Sequence, residues 1–120
     1  MLNTLLDSNQ IILHVNGEHQ LKFEVRSVAI STLTVFECFR LPGLSSQEEN
    51  ELREIISLCK IISVTDEIAI RAASIARTRK SLRPIDLLIA ATALELDVPL
   101  VTKNVKDFRK IPGLKIQTSP

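Results

Sequence analysis

An α/β fold whose parallel sheet is covered by helices on both faces is what this 120-residue sequence predicts. Three observations carry that expectation. Short apolar runs alternate with longer amphipathic stretches along the chain, the pattern of strand–helix–strand units. Turn residues fall between those runs, with no linker, repeat or low-complexity tract. Residues 85–96 are apolar almost all round, as in a helix packed deep against a sheet. At 13.4 kDa and 45% hydrophobic residues, a single domain over residues 1–120 can bury a core without disulfides or structural metal.

Residues 3–7 read as the first strand, with Ser8-Asn9 as N-cap candidates for the next element. Residues 10–25 support two readings. Gln10 to Val15 suits a short helix, while Asn16-Gly17 between the alternating Leu13, Val15, Leu21, Phe23 and Val25 is a hairpin signal; the topology favours the helix. Residues 27–30 form a second strand, and Ser31 or Thr32 caps a helix to about Arg40, which Pro42-Gly43 ends. Ser45 and Ser46, each with a Glu three residues on, are alternative capping boxes ahead of Leu52, Ile55, Ile56 and Cys59 at helical spacing.

A third strand is expected over residues 61–64, and Thr65-Asp66-Glu67 opens a helix with Ile68, Ala72, Ile75 and Ala76 inward. Residues 77–83 are a basic loop. Pro84 at a first helical position starts the apolar helix. Residues 98–102 make a fourth strand, 104–109 a short helical turn and 114–116 a last strand.

Composition excludes several classes. Three glycines leave no room for a P-loop or dinucleotide fingerprint, and 3% aromatic residues without Trp or Tyr argue against base-stacking platforms. Cys38 and Cys59 lie in helical patterns with no CxxC, so buried free thiols are expected rather than zinc or a disulfide framework. His14 and His19 lack a Ser or Cys partner for nucleophilic catalysis. No apolar run reaches the roughly 18 residues needed to span a bilayer. The start, Met1-Leu2-Asn3-Thr4, is unlike a secretory signal, so a cytoplasmic location is expected.

The net charge of +1 hides an asymmetry: residues 1–70 hold five Lys/Arg against ten Asp/Glu, residues 71–120 ten against four. Four acids stand where apolar runs meet polar turns: Asp7, Glu37, Asp86 and Asp107. In an open parallel sheet the ligand crevice lies beyond the carboxyl ends of the strands. Asp7 and residues 102–104 fall at that edge, and the helices bearing Glu37 and Asp86 begin there, so all four acids are expected to converge. Such crowding calls for a hard divalent cation, which would offset the repulsion, orient a phosphate and activate a water. Arg77, Arg79, Lys80 and Arg83 before Asp86, with Lys103, Lys106, Arg109 and Lys110 around Asp107, would attract a phosphodiester. Three of the acids also have a plainer role, Asp7 as a helix cap, Asp86 at a helix dipole and Asp107 on a solvated face, whereas Glu37 among Val35, Phe36, Cys38 and Phe39 is less easily explained so.

Taken together, Leu5-Leu6-Asp7-Ser8-Asn9, Ile30-Ser31 leading to Glu37, residues 86–93 beginning Asp86-Leu87-Leu88-Ile89, and residues 100–108 ending Val105-Lys106-Asp107-Phe108 resemble the PIN domain, in particular VapC-type toxins. The resemblance spans essentially the whole chain. It implies a three-layer α/β/α sandwich and a Mg²⁺- or Mn²⁺-dependent endoribonuclease, the toxin of a toxin–antitoxin pair, with a cognate antitoxin and a homodimer. It further implies Asp7 and Asp86 as principal metal ligands, Glu37 completing the pocket, Asn104 and Asp107 sharing the fourth position, and Ser8 and Thr34 orienting carboxylates. The stretch from Asp7 to Ser27 is short for the family, and Gln10 stands where an apolar residue is usual, so a reshaped first helix is expected.

Two other readings are open to such a chain. A PIN-fold module that has lost turnover would bind RNA or protein without cutting. A receiver- or phosphatase-type phosphoryl-transfer domain would want a second acid beside the first strand, where Ser8 and Asn9 stand.

Overall fold

The structure, a computed structural model, describes all residues from Met1 to Pro120. Eleven elements succeed one another: β1 (Thr4–Leu6), α1 (Ser8–Val15), β2 (Val28–Ser31), α2 (Thr32–Phe39), α3 (Ser46–Ser57), β3 (Lys60–Ile62), α4 (Asp66–Ala76), α5 (Pro84–Leu96), β4 (Leu100–Val101), α6 (Val105–Phe108) and β5 (Ile116–Gln117). The five strands make one sheet in the order β3-β2-β1-β4-β5, and every pairing is parallel.

Alternation along the strands sorts side chains into two layers. Leu5, Ala29 and Leu100 join Ile68, Ala72, Ile89, Ala90, Ala93 and Phe108 in a core under α4 and α5. Their neighbours Leu6, Val28, Ile30 and Val101 point the other way, into a second core with Ile11, Cys38, Leu52, Ile55 and Cys59 under α1, α2 and α3. This is the three-layer α/β/α sandwich with a central parallel sheet, and it leaves β1 in its middle buried on both faces. Each fully buried Leu or Ile there contributes about 1.5–3 kcal/mol relative to exposure. No helix is long and apolar enough to cross a membrane.

The local signals act largely as expected, with informative shifts. Residues 10–25 hold a helix and no hairpin; α1 spans eight residues and closes at Asn16, ahead of Gly17 with φ +78°. Its N-cap is Asp7 rather than Ser8 or Asn9: Asp7 Oδ1 accepts from the Ser8 amide at 2.8 Å. Gln10 is buried in α1. Ser31 caps α2, and of the two candidate boxes Ser45 with Glu48 is the one that closes, Ser46 falling inside the helix.

The last three strands are shorter than the apolar runs suggest. Residues 61–64 yield β3 at Lys60–Ile62, because Thr65 must leave the ladder to cap α4 through the Ile68 amide. Residues 98–102 yield Leu100–Val101, since Pro99 has no N–H to give. The last strand moves on, to Ile116–Gln117, behind Gly113 at φ +80°.

Candidate active site

The chain builds β1, β2 and β3 outward in one direction and then returns to place β4 on the other side of β1. The order therefore reverses between β1 and β4, and a parallel sheet opens a crevice at such a point, beyond its carboxyl ends. Asp7 comes directly after β1 and Thr102 directly after β4. The two meet: Thr102 Oγ1 donates to Asp7 Oδ2 at 2.8 Å. Asn9 Nδ2 donates to the same carboxylate oxygen at 3.2 Å, while its Oδ1 accepts from the Lys103 amide at 3.2 Å. Three donors thus hold the Asp7 carboxylate in one orientation.

Glu37 arrives on α2 and Asp86 in the first turn of α5. With Asp7 they are 7%, 8% and 4% exposed, so three carboxylates are withdrawn from water together. Burial raises the Asp7 carboxyl above its ordinary value; the Thr102 and Ser8 bonds pull it back, and the charges of Asp86 and Glu37 push it up further. Glu37 is buried while its neighbour Phe36 is 56% exposed, an inversion of the usual partition of acid and aromatic.

The fourth acid differs from these three in its exposure. Asp107 lies exposed on the four-residue α6; its amide donates to the Asn104 carbonyl at 3.2 Å and its carboxylate has no hydrogen-bond partner. It lines a cavity of about 360 Å³ with Asp86, Arg79, Arg83, Lys106, Arg109 and Lys110. Asn104 is the exposed N-cap of α6; its amide donates to Thr102 Oγ1 at 3.0 Å, and its side chain makes no cap bond. Ser8 acts on Asp7 through its backbone amide, and the Thr34 hydroxyl has no hydrogen-bond partner, so the orienting hydroxyl is that of Thr102 instead. Sequence reasoning misses the roles of Thr102 and Asn9, although the end of the fourth apolar run puts Thr102 at the correct edge.

Arg83 is more than a flanking cation. Its Nε donates to Asp86 Oδ2 at 3.0 Å and its Nη2 to Asp86 Oδ1 at 3.1 Å, and Nη2 lies 3.6 Å from Glu37 Oε2. These contacts, led by the hydrogen bonds to Asp86, raise the guanidinium pKa further. As the side chains stand, no three His, Cys, Asp or Glu groups are gathered closely enough to hold an ion.

The donor chemistry nevertheless suits a hard divalent cation. The pocket offers carboxylate oxygens from Asp7, Glu37 and Asp86, and the buried, orphaned Thr34 hydroxyl lies three residues before Glu37, on the same face of α2. It already attracts a cation, the Arg83 guanidinium. No thiolate competes, because burial first and then the charges of Glu37 and Asp7 push the Cys38 thiol up to about 12. His14 is engaged elsewhere, its Nδ1 accepting from the Leu21 amide at 3.0 Å.

A parallel α/β/α sandwich with acids buried at its switch point defines the class, and comparison with known proteins agrees: the PIN domain family matches residues 4–114, and the chain belongs to that family. Within it the chain is VapC-like. It is 31% identical to Ribonuclease VapC19 of Mycobacterium tuberculosis over 92% of this chain and 96% of that one. It is 27% identical to the tRNA(fMet)-specific endonuclease VapC of Salmonella typhimurium, over 98% of both chains. Among solved structures, a toxin–antitoxin complex from Klebsiella pneumoniae superposes with a TM-score of 0.77 at 29% identity, covering 97% of each chain.

Proposed function

We propose that this chain is a Mg²⁺- or Mn²⁺-dependent endoribonuclease that hydrolyses RNA phosphodiester bonds with an activated water, and that it is the toxin of a toxin–antitoxin pair. The observation that carries the reading is the burial of Asp7, Glu37 and Asp86 together at the switch point, beside a cavity lined with cations. The relatives named ribonuclease and endonuclease support a nuclease, and the Klebsiella complex supports an antitoxin partner. A single domain over residues 1–120, acting in the cytoplasm as a homodimer, completes the proposal.

In this reading Asp7 and Asp86 are the principal metal ligands, Glu37 completes the pocket and holds metal or water, and Asn104 with Asp107 serves the fourth position at the rim. A bound divalent ion would neutralise phosphate charge and make water nucleophilic near neutral pH. The chain's own groups prepare for that chemistry. Thr102, Asn9 and the Ser8 amide fix the Asp7 oxygens, so little reorganisation remains at the moment of reaction. Lys106, Arg109 and Lys110 line the neighbouring cavity, where they would draw the phosphate backbone toward Asp86.

The test is incubation of the purified chain with RNA and Mn²⁺. Cleavage that disappears with EDTA and with Asp7→Asn is the expected result. RNA bound without products, under conditions where the chain is folded, would make it a silent PIN-fold module instead.

A further inference from the structure

Arg83 occupies the oxygens that a divalent ion would need. Its guanidinium engages both carboxylate oxygens of Asp86, at 3.0 and 3.1 Å, and approaches Glu37 Oε2 at 3.6 Å. An ordinary surface ion pair would mean little. Here the acceptors are 7% and 8% exposed and stand on different helices, α2 and α5, so one side chain ties together two walls of the acidic pocket. The Arg83 side chain itself is 58% exposed, and it borders the cavity that also holds Arg79, Lys106 and Arg109. It can leave the acids for water or for a phosphate without opening the core.

The electrostatics call for compensation. Three carboxylates brought out of water repel one another unless a proton or a cation joins them, and a guanidinium already on those oxygens leaves a divalent ion fewer free lone pairs and a positive charge beside it. We propose that Arg83 is an internal counter-cation: it neutralises Glu37 and Asp86 in the metal-free protein, competes with the divalent ion for them, and swings toward the basic cavity when the ion binds. Arg83 is thereby a positioning residue, setting how much free metal the pocket requires and keeping the acids compensated until that metal arrives. This inference rests on the reading of the pocket as a metal site.

Calorimetric titration of Mn²⁺ into the wild type, Arg83→Gln, Arg83→Lys and Asp7→Asn tests it. Arg83→Gln should bind Mn²⁺ about two- to fivefold more tightly, the range expected when a partly exposed competing ion pair is removed. Arg83→Lys, which keeps the charge but loses the two-pronged contact, should fall between. Without metal, Arg83→Gln should melt lower than wild type, and the two melting temperatures should converge in saturating Mn²⁺, a pattern that a purely structural loss would not give. Equal or weaker Mn²⁺ binding by a folded Arg83→Gln overturns the counter-cation role alone, provided Asp7→Asn abolishes binding. No binding by the wild type, or undiminished binding by Asp7→Asn, overturns the metal pocket itself and this inference with it.

Discussion

Thr102 Oγ1 donates a hydrogen bond of 2.8 Å to Asp7 Oδ2, joining the ends of β4 and β1 across 95 positions of sequence. The same hydroxyl oxygen accepts from the Asn104 amide at 3.0 Å and from Asn9 Nδ2 at 3.3 Å. One fully buried hydroxyl therefore registers the Asp7 carboxylate, α1 and the entry to α6 against one another.

Replacing that hydroxyl by a methyl group of similar size should be costly. Thr102→Val leaves the Asn104 amide without its acceptor and removes a donor from Asp7, a loss of about 1–3 kcal/mol. Thermal denaturation should show the lower melting temperature, with weaker Mn²⁺ binding in parallel. Thr102→Ser should restore both, and a Thr102→Val protein with wild-type melting and metal affinity would show that the hydroxyl is dispensable.

Asp86→Ala should abolish cleavage while keeping the fold. The substitution forfeits a first-turn acid on α5, worth about 0.3–1 kcal/mol to the helix dipole, and the two Arg83 hydrogen bonds, but it relieves repulsion with Asp7, lets the half-exposed Arg83 turn to water and opens no large cavity. Circular dichroism and a melting curve within about 5 °C of wild type are the expected companions of lost activity. A collapse in melting temperature would make Asp86 structural.

Asp107→Asn should be milder on both counts. The Asp107 carboxylate is exposed and unpartnered, so the variant's melting temperature should match wild type, and RNA cleavage should fall by less than with Asp86→Ala. Rates measured side by side decide the matter, and an Asp107→Asn loss as deep as that of Asp86→Ala would place Asp107 in the reacting centre.

The two thiols should be silent until the protein unfolds. Burial is the first cause that pushes Cys38 up to about 12, and it alone pushes Cys59 up to about 11. At pH 8 a thiol reagent should label neither in the native state and both in denaturant. Because folding raises these pKa values, their contribution to stability is complete below the ordinary thiol value. It is lost as pH climbs from about 9.0 through 11 and 12, so alkaline unfolding should be eased in that window.

At the start of α3, Ser45→Ala should lower stability by about 1 kcal/mol, because Ser45 Oγ accepts from the Glu48 amide while Glu48 Oε1 accepts from the Ser45 amide. Ser46→Ala, one residue inside the helix, should leave the melting temperature near wild type. Equal effects would mean that the sequence offers either serine as a cap.

Much of this molecule is legible in the order of its residues. Helix caps and periodicity act over three or four residues, so the stretch after Ser45, the opening at Thr65 and the start at Pro84 fall within a residue or two of where local pattern puts them. The alternation of apolar runs with amphipathic stretches suffices for a parallel sheet between helical layers. Asp7 at the end of a strand and Asp86 in the first turn of a helix are visible for the same reason, and Glu37 is visible as an acid inside an apolar helix.

Tertiary packing decided the rest, because those features depend on groups far apart in sequence. That β4 lies against β1 is what brings Thr102 to Asp7. The rotation of α2 against the sheet buries Glu37 and leaves Phe36 outside. The start of α5 at the carboxyl edge of the sheet seats Arg83 on Glu37 and Asp86, while α6 keeps Asp107 at the rim. Local pattern records how each residue prefers to fold; which distant partner neutralises a buried charge is settled when the layers close.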